Sequence, residues 1–330
     1  SPRHAGALTQ LGLIAQTMDR TGEARELLEK AARVEPENPS VRTGLGQLYL
    51  SQAEVAAAEA EFRAAIAADP GYAPAWHNLG TAQASARRYD EAIGSFRRAL
   101  AENPTDTQGL YKLGQTLGEN GDFDAAINVL GRAIRQQPAV PQIRAALGDV
   151  LMHAGDPEKA IHQYREVERL VPGKPLGAYR IGIASRQIGT MAAAITAFER
   201  ARALSNGDPT VLCELAHTHA LAGAPDRARS LFAEAADKAD GDASIIAMAA
   251  RGLIICGNCD AARGLMTPLI AARNGTPEVA IAAAELAEDQ DALILAQELL
   301  DAALSSPDLA PRHRLDTLFA LAGVSHRRGK

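Results

Sequence analysis

Apolar residues return at three- and four-residue steps along most of the chain, most clearly between residues 76 and 99. Trp76, Leu79, Gly80 and Gln83 share one helical face, and Ala92, Phe96 and Ala99 share another. That spacing predicts two amphipathic helices. Polar turns divide such pairs, plainest in NGDF at 120–123 and AGDP at 154–157. The whole pattern then recurs. Pro36, Pro70, Pro104, Pro138 and Pro172 stand 34 residues apart. With a first unit opening at Ala5, later units open at 39, 73, 107, 141, 175, 209, 243 and 277. Nine units of 34 residues fill 5–310 with no insertion.

Other positions keep this beat. The seventh and eighth residues read Leu11-Gly12, Leu45-Gly46, Leu79-Gly80, Leu113-Gly114, Leu147-Gly148 and Ile181-Gly182, fading later to Ala249-Ala250 and Ala283-Ala284. The twentieth is alanine throughout, from Ala24 to Ala296. The twenty-fourth is large and apolar, as in Leu28, Phe62, Phe96, Leu130, Tyr164, Phe198, Phe232, Met266 and Leu300. A helical pair of this kind has an apolar face it cannot bury alone, and stacking on the next pair covers it. Small residues at eight and twenty let backbones approach, and the bulky residue at twenty-four fills the remaining gap. Pro36 to Pro172 are expected to stop second helices, because proline lacks an amide proton and clashes inside a helix. Pro141, Pro175, Pro209, Pro277 and Pro311 stand where first helices are expected to open. After Pro172 the terminal prolines give way to Asn206, Asp240, Asn274 and Asp308.

The third unit, with Trp76, Leu79, Gly80, Ala92, Phe96, Ala99 and Pro104, resembles the tetratricopeptide repeat family, and the resemblance covers residues 5–310. It implies an all-α fold, an α-solenoid, wound as a right-handed superhelix with first helices lining a concave side. The tail, LDTLFALAGVSHRRGK, matches a first helix if its unit begins at Leu315, four residues late. Residues 311–330 are therefore expected to hold the first helix of an incomplete tenth repeat. Leu318, Leu321 and Ala322 would take the signature places, leaving an apolar stripe only partly covered, and Gly329 would begin the turn. Residue 330 reads as a boundary inside a longer protein. The passage from the weakened eighth and ninth units into this tail resembles bacterial proteins in which such an array precedes a sulfotransferase domain. A repeat-linked glycosyltransferase is the competing parent. The Arg-Ser-Gly-Thr-like phosphate loop of those sulfotransferases has no counterpart here, so any such activity is expected beyond Lys330, with this chain as its substrate-docking arm.

Composition narrows the function further. Aromatic residues make up 4% of the chain, so the core must be built from Ala, Leu and Ile. A formal net charge of −6 gives no overall electrostatic reason to bind nucleic acid or an anionic membrane. No apolar run reaches the roughly 18 residues that span a bilayer; the most apolar stretch, 243–257, is interrupted by Arg251. The first residue is Ser1 rather than Met, and the segment after it lacks a secretion-signal layout. Three cysteines do not make a disulfide framework, and a cytoplasmic setting is expected.

Candidate chemistry is sparse. CGNC at 256–259 pairs thiols at a spacing used for zinc or redox cycling. No second pair of ligands accompanies it, and Gly257-Asn258-Cys259 aligns with the turns of earlier units. In CELAHTH, Cys213 and His217 lie four apart on one helical face without a third ligand, while His219 takes a packing place matched by Leu151 and Leu253. His77, His153 and His162 are isolated from one another. No nucleophile–base–orienter set appears, so neither catalysis nor a cofactor is expected of this chain.

The concave side is the better candidate. By the family resemblance, unit positions two, five, six, nine, twelve and thirteen face it. These positions, and residues beside them, offer His77, Asn78, Tyr111, Lys112, Gln115, Tyr179, Arg180, Arg186 and Arg251 as aromatic platforms next to donors. Such a strip suits an extended acidic or carboxylate-bearing peptide. The last full unit differs, with Glu278, Glu285, Glu288 and Asp289 making its inner face acidic. The family's chaperone-binding carboxylate clamp transfers badly, since Thr43, Gln47 and Gln108 stand where it needs lysine, asparagine and lysine. The asparagine ladder of repeat-bearing O-linked N-acetylglucosamine transferases also fails, because position six reads Gln10, Gly44, Asn78, Lys112, Ala146 and Arg180. The expected function is a non-catalytic protein-interaction scaffold.

Overall fold

The computed structural model describes residues 5–272, 274–287, 290–306 and 309–329. These described residues form nineteen helices and no strand, an all-α solenoid. First helices are α1 (Ala5–Thr17), α3 (Pro39–Ser51), α5 (Ala73–Ser85), α7 (Thr107–Glu119), α9 (Pro141–His153), α11 (Leu176–Gln187), α13 (Pro209–Leu221), α15 (Ala243–Ile255) and α17 (Pro277–Leu286). Second helices are α2 (Thr21–Val34), α4 (Val55–Ala68), α6 (Tyr89–Glu102), α8 (Phe123–Gln136), α10 (Pro157–Leu170), α12 (Met191–Leu204), α14 (Pro225–Asp237), α16 (Cys259–Ala271) and α18 (Gln290–Leu304). A last helix, α19, runs Pro311–Arg327. The helices gather into two compact units that divide after Gln163, within α10.

Local chemistry sets the helix ends. Asn38, Asp106, Asp208 and Asp242 cap α3, α7, α13 and α15 by accepting bonds from amides in the first turn. Pro141, Pro209, Pro277 and Pro311 occupy the first helical position, where the missing proton costs nothing. Pro175 departs from this expectation: it precedes the first residue of α11 as its N-cap. Second helices α2, α4, α6, α8 and α10 each end two residues before a proline, at Val34, Ala68, Glu102, Gln136 and Leu170. Where that proline has gone, Asn206 and Asp240 turn to φ of 55° and 48°, the first directly after the C-cap of α12 and the second three residues past the end of α14. The turn inside each of the first eight pairs also needs one left-handed residue. Gly121, Gly155, Gly189, Gly223 and Gly257 supply it without strain, whereas Asp19, Ala53 and Arg87 adopt it with side chains.

Packing follows the 34-residue beat. In the unit ending at Gln163, Gly12, Gly46, Gly80 and Gly114 lie beneath the bulky residue sixteen positions later in the same pair. A Cβ on Gly46 would sit 2.5 Å from the Phe62 ring, and one on Gly114 would sit 2.5 Å from Leu130. In the unit from Tyr164 onward, Gly182 lies beneath Phe198 in the same way. The glycine therefore serves contact within a pair, and the large side chain rests on bare backbone. Phe62, Phe96, Leu130 and Phe198 are wholly buried. Successive first helices also touch each other: α1 with α3, α3 with α5, α5 with α7 and α7 with α9 in one unit, and α13 with α15, α15 with α17 and α17 with α19 in the other.

The tail corrects the sequence register. Helix α19 opens at Pro311, on the 34-residue beat from Pro277, and not at Leu315. Thr317 and Val324 are its wholly buried residues, while Leu318 is 47% exposed and Phe319 68%. Leucine and alanine at apparent signature places favoured the later start, but Thr317 fills the core place with its methyl and donates its hydroxyl to His313 O at 2.6 Å. That bond removes the polarity that made it look like a surface residue.

Candidate functional site: the first-helix faces

In the unit ending at Gln163, α5 and α7 carry five of the expected residues. His77 sits edge-on to Phe96 at 5.6 Å between centroids, and its Nδ1 lies 4.0 Å from Asp106 Oδ2 with no hydrogen bond. Burial pushes its pKa down, Asp106 opposes that, and Lys112 adds to it. Asn78 donates from Nδ2 to Pro74 O at 2.8 Å and accepts from Gln47 Nε2 at 3.4 Å, so its amide is already engaged. The Lys112 ammonium lies 5.9 Å from the Tyr111 ring centroid. Gln115 lines a separate cavity of about 310 Å³ with Phe123, Asp149 and His153.

His77 yields a pH prediction. Its folded pKa is depressed below the unfolded value of about 6.5, so the unfolded chain takes up the proton first. Its contribution to stability is fully present above that value and is lost as pH falls through the folded pKa. His77→Gln is expected to flatten the drop in urea midpoint between pH 7.5 and 5.5. An unchanged slope would show that His77 is not held neutral.

In the unit from Tyr164 onward, Tyr179 sits edge-on to Phe198 at 5.8 Å, and burial pushes its phenol pKa up. Arg180 lies over the Tyr164 ring at 5.7 Å. Arg186 and Arg251 reach carboxylates on the next first helix. Arg186 Nη2 is 2.6 Å from Glu214 Oε2, and Arg251 Nη2 is 2.9 Å from Glu285 Oε1. Arg251 Nε also donates to both Glu285 oxygens. The donors expected to await a ligand thus tie α11 to α13 and α15 to α17, and Glu285 is neutralised by this pairing. Glu278 accepts from Ser244 Oγ at 3.3 Å and lies 3.6 Å from His313 Nε2. Glu288 and Asp289 lie outside the described residues.

Two adjoining cavities open on this face. One, of about 410 Å³, is lined by Arg186, Cys213, Glu214, His217, Met248, Arg251, Ile255, Glu278, Ile281, His313 and Asp316, with Phe232 and Gly252 behind. The other, of about 490 Å³, shares Arg251, Ile281 and Asp316 and adds Glu285, Phe319 and Arg327. Except for Phe232, these residues come from α11, α13, α15, α17 and α19. Met248, Ile255 and Phe319 are large apolar residues left 38%, 67% and 68% exposed. Sequence reasoning named Arg186, Arg251, Glu278 and Glu285 here but missed Met248, Ile255, His313, Asp316 and Phe319. Met248, Ile255 and Ile281 fall at groove positions six, thirteen and five. Asp316 and Phe319 fall at six and nine once α19 is counted from Pro311.

All three cysteines are free thiols. Cys213 is buried and its thiol pKa is pushed up to about 12 by desolvation. That disfavours the thiolate a metal needs. His217 shares its cavity, but no group of three or more metal-ligating side chains occurs among the described residues. Cys256 is buried and Cys259 exposed, both free. No helix among the described residues is long and apolar enough to cross a membrane.

A comparison with curated proteins finds no match. Among solved structures, the chain is similar to the C-terminal part of a TPR repeat-containing protein from Cytophaga hutchinsonii, at 15% identity and TM-score 0.59 over 73% of this chain and 98% of that one. It is also similar to a tetratricopeptide repeat protein from Parabacteroides merdae, at 16% identity and TM-score 0.57 over 77% and 99%. PilW, described as a widely conserved type IV pilus biogenesis factor, aligns at 22% identity and TM-score 0.57 over 60% and 92%. At these identities the likeness speaks to fold. Tetratricopeptide repeat profiles match residues 15–84, 73–106, 111–175 and 146–209, together more than half of the chain. Profile matches, the 34-residue beat and the glycine-under-bulk packing agree, and the chain belongs to the tetratricopeptide repeat family.

Proposed function

We propose that the chain is a non-catalytic interaction scaffold that holds an extended segment of a partner protein along the first-helix face of the unit from Tyr164 onward. The observation that supports this is the pair of adjoining cavities that share Arg251, Ile281 and Asp316 and expose Met248, Ile255 and Phe319. Exposed apolar side chains beside oriented charges suit a ligand that brings its own backbone and side chains, and extended peptides do so. An acidic segment remains the reading for the Tyr111 and Lys112 surface of the other unit, where the ammonium faces a ring and no carboxylate bridges it among the described residues.

The test is selection from a displayed library of linear peptides on the full chain. Selected peptides are expected to lose at least about tenfold in affinity on combining Arg251→Ala with Phe319→Ala. Asp124→Ala, on the exposed side of α8, is expected to leave them unmoved. Selection of peptides indifferent to the double variant would remove this face from the proposal.

A further inference from the structure

We infer that the groove of the unit from Tyr164 onward takes a segment in which a lysine or arginine stands beside a large apolar side chain. The inference rests on the segment-binding reading above and replaces the acidic peptide expected of the strip through Tyr179, Arg180, Arg186 and Arg251. Charges lining the two cavities are not equally available. Arg186 is closed on Glu214 and Arg251 on Glu285. Arg327 donates to Ala287 O at 3.1 Å and Ala284 O at 2.6 Å, carbonyls at the end of α17 whose partial negative charge offsets the cation.

Two carboxylates are left over. Glu278 meets a hydroxyl and an imidazole, neither of them a permanent cation. Asp316 makes no hydrogen bond or ion pair among the described residues. Both line the cavity that holds Met248, Ile255 and Ile281, and Asp316 also lines the one that holds Phe319. An acidic segment entering here would have to break an existing ion pair to find a donor, and would bring like charge towards Glu278 and Asp316. A basic segment meets two carboxylates without breaking an arginine or lysine ion pair among the described residues, while its apolar neighbour covers Met248, Ile255 or Phe319. The occupant is thus a peptide of mixed basic and apolar character.

Fluorescence anisotropy on the full chain separates the possibilities, with labelled ten-residue peptides of alternating lysine and leucine, or of alternating glutamate and leucine. The lysine peptide is expected to bind about tenfold tighter or more, and to weaken as salt rises. Combining Glu278→Gln with Asp316→Asn should bring the two peptides to within about twofold. Phe319→Ala should weaken the lysine peptide while circular dichroism stays unchanged. Tighter binding of the glutamate peptide, lost in Arg251→Ala, would overturn the charge assignment and leave the segment-binding reading standing. Binding of neither peptide, or lysine-peptide binding indifferent to both the carboxylate pair and Phe319, would bring down both.

Discussion

Phe198→Ala is expected to lower the unfolding free energy of the chain by about 3–5 kcal/mol, read from guanidinium midpoints by circular dichroism. The ring is wholly buried and rests on Gly182, whose absent Cβ would lie 2.7 Å from it. On the side of Gly182 there is no side chain to move into the space. The loss should also reach the groove. Tyr179 packs edge-on to this ring and the Arg186 guanidinium lies 5.8 Å from its centroid, so both lose their support. A cost below about 1 kcal/mol would mean that the pair collapses around the cavity and that the packing account is wrong.

The converse substitution is Gly46→Val. Its Cβ would enter the Phe62 ring, an overpacking expected to cost about 1–3 kcal/mol. Combining it with Phe62→Leu should cost less than the sum of the single changes, because the smaller side chain vacates the space that the new one needs. Gly94→Ala supplies the contrast. Gly94 lies within α6 with open space where its Cβ would stand, so added bulk there is expected to stabilise by about 0.4–1 kcal/mol. Equal effects at Gly46 and Gly94 would show that backbone freedom, and not the fit beneath Phe62, decides the outcome.

Much of this was legible in the chain. The prolines and the Leu-Gly pairs place helix starts to the residue through most of the array, because a 34-residue beat without insertions leaves little freedom in register. What escaped is instructive. Thr317 hid the register of α19, since a threonine whose hydroxyl is satisfied by its own helix packs like valine. Asp316 and Phe319 were passed over for another reason, since they fall at groove positions in either register, two and five from Leu315 or six and nine from Pro311. Arg186, Arg251 and Glu285 were found, but the pairings were not, because Glu214 lies 28 residues from Arg186 and Glu285 lies 34 residues from Arg251 in sequence. Position within a repeat says which way a side chain faces. It does not say whether the next repeat already supplies its partner.

Because Gly12, Gly46, Gly80, Gly114 and Gly182 are each matched to the bulky residue of their own hairpin, that lock travels with the segment that encodes it. Copying or deleting one such stretch of gene would carry key and keyhole together, so only the contacts between hairpins, such as Gly252 against Phe232, would need re-fitting.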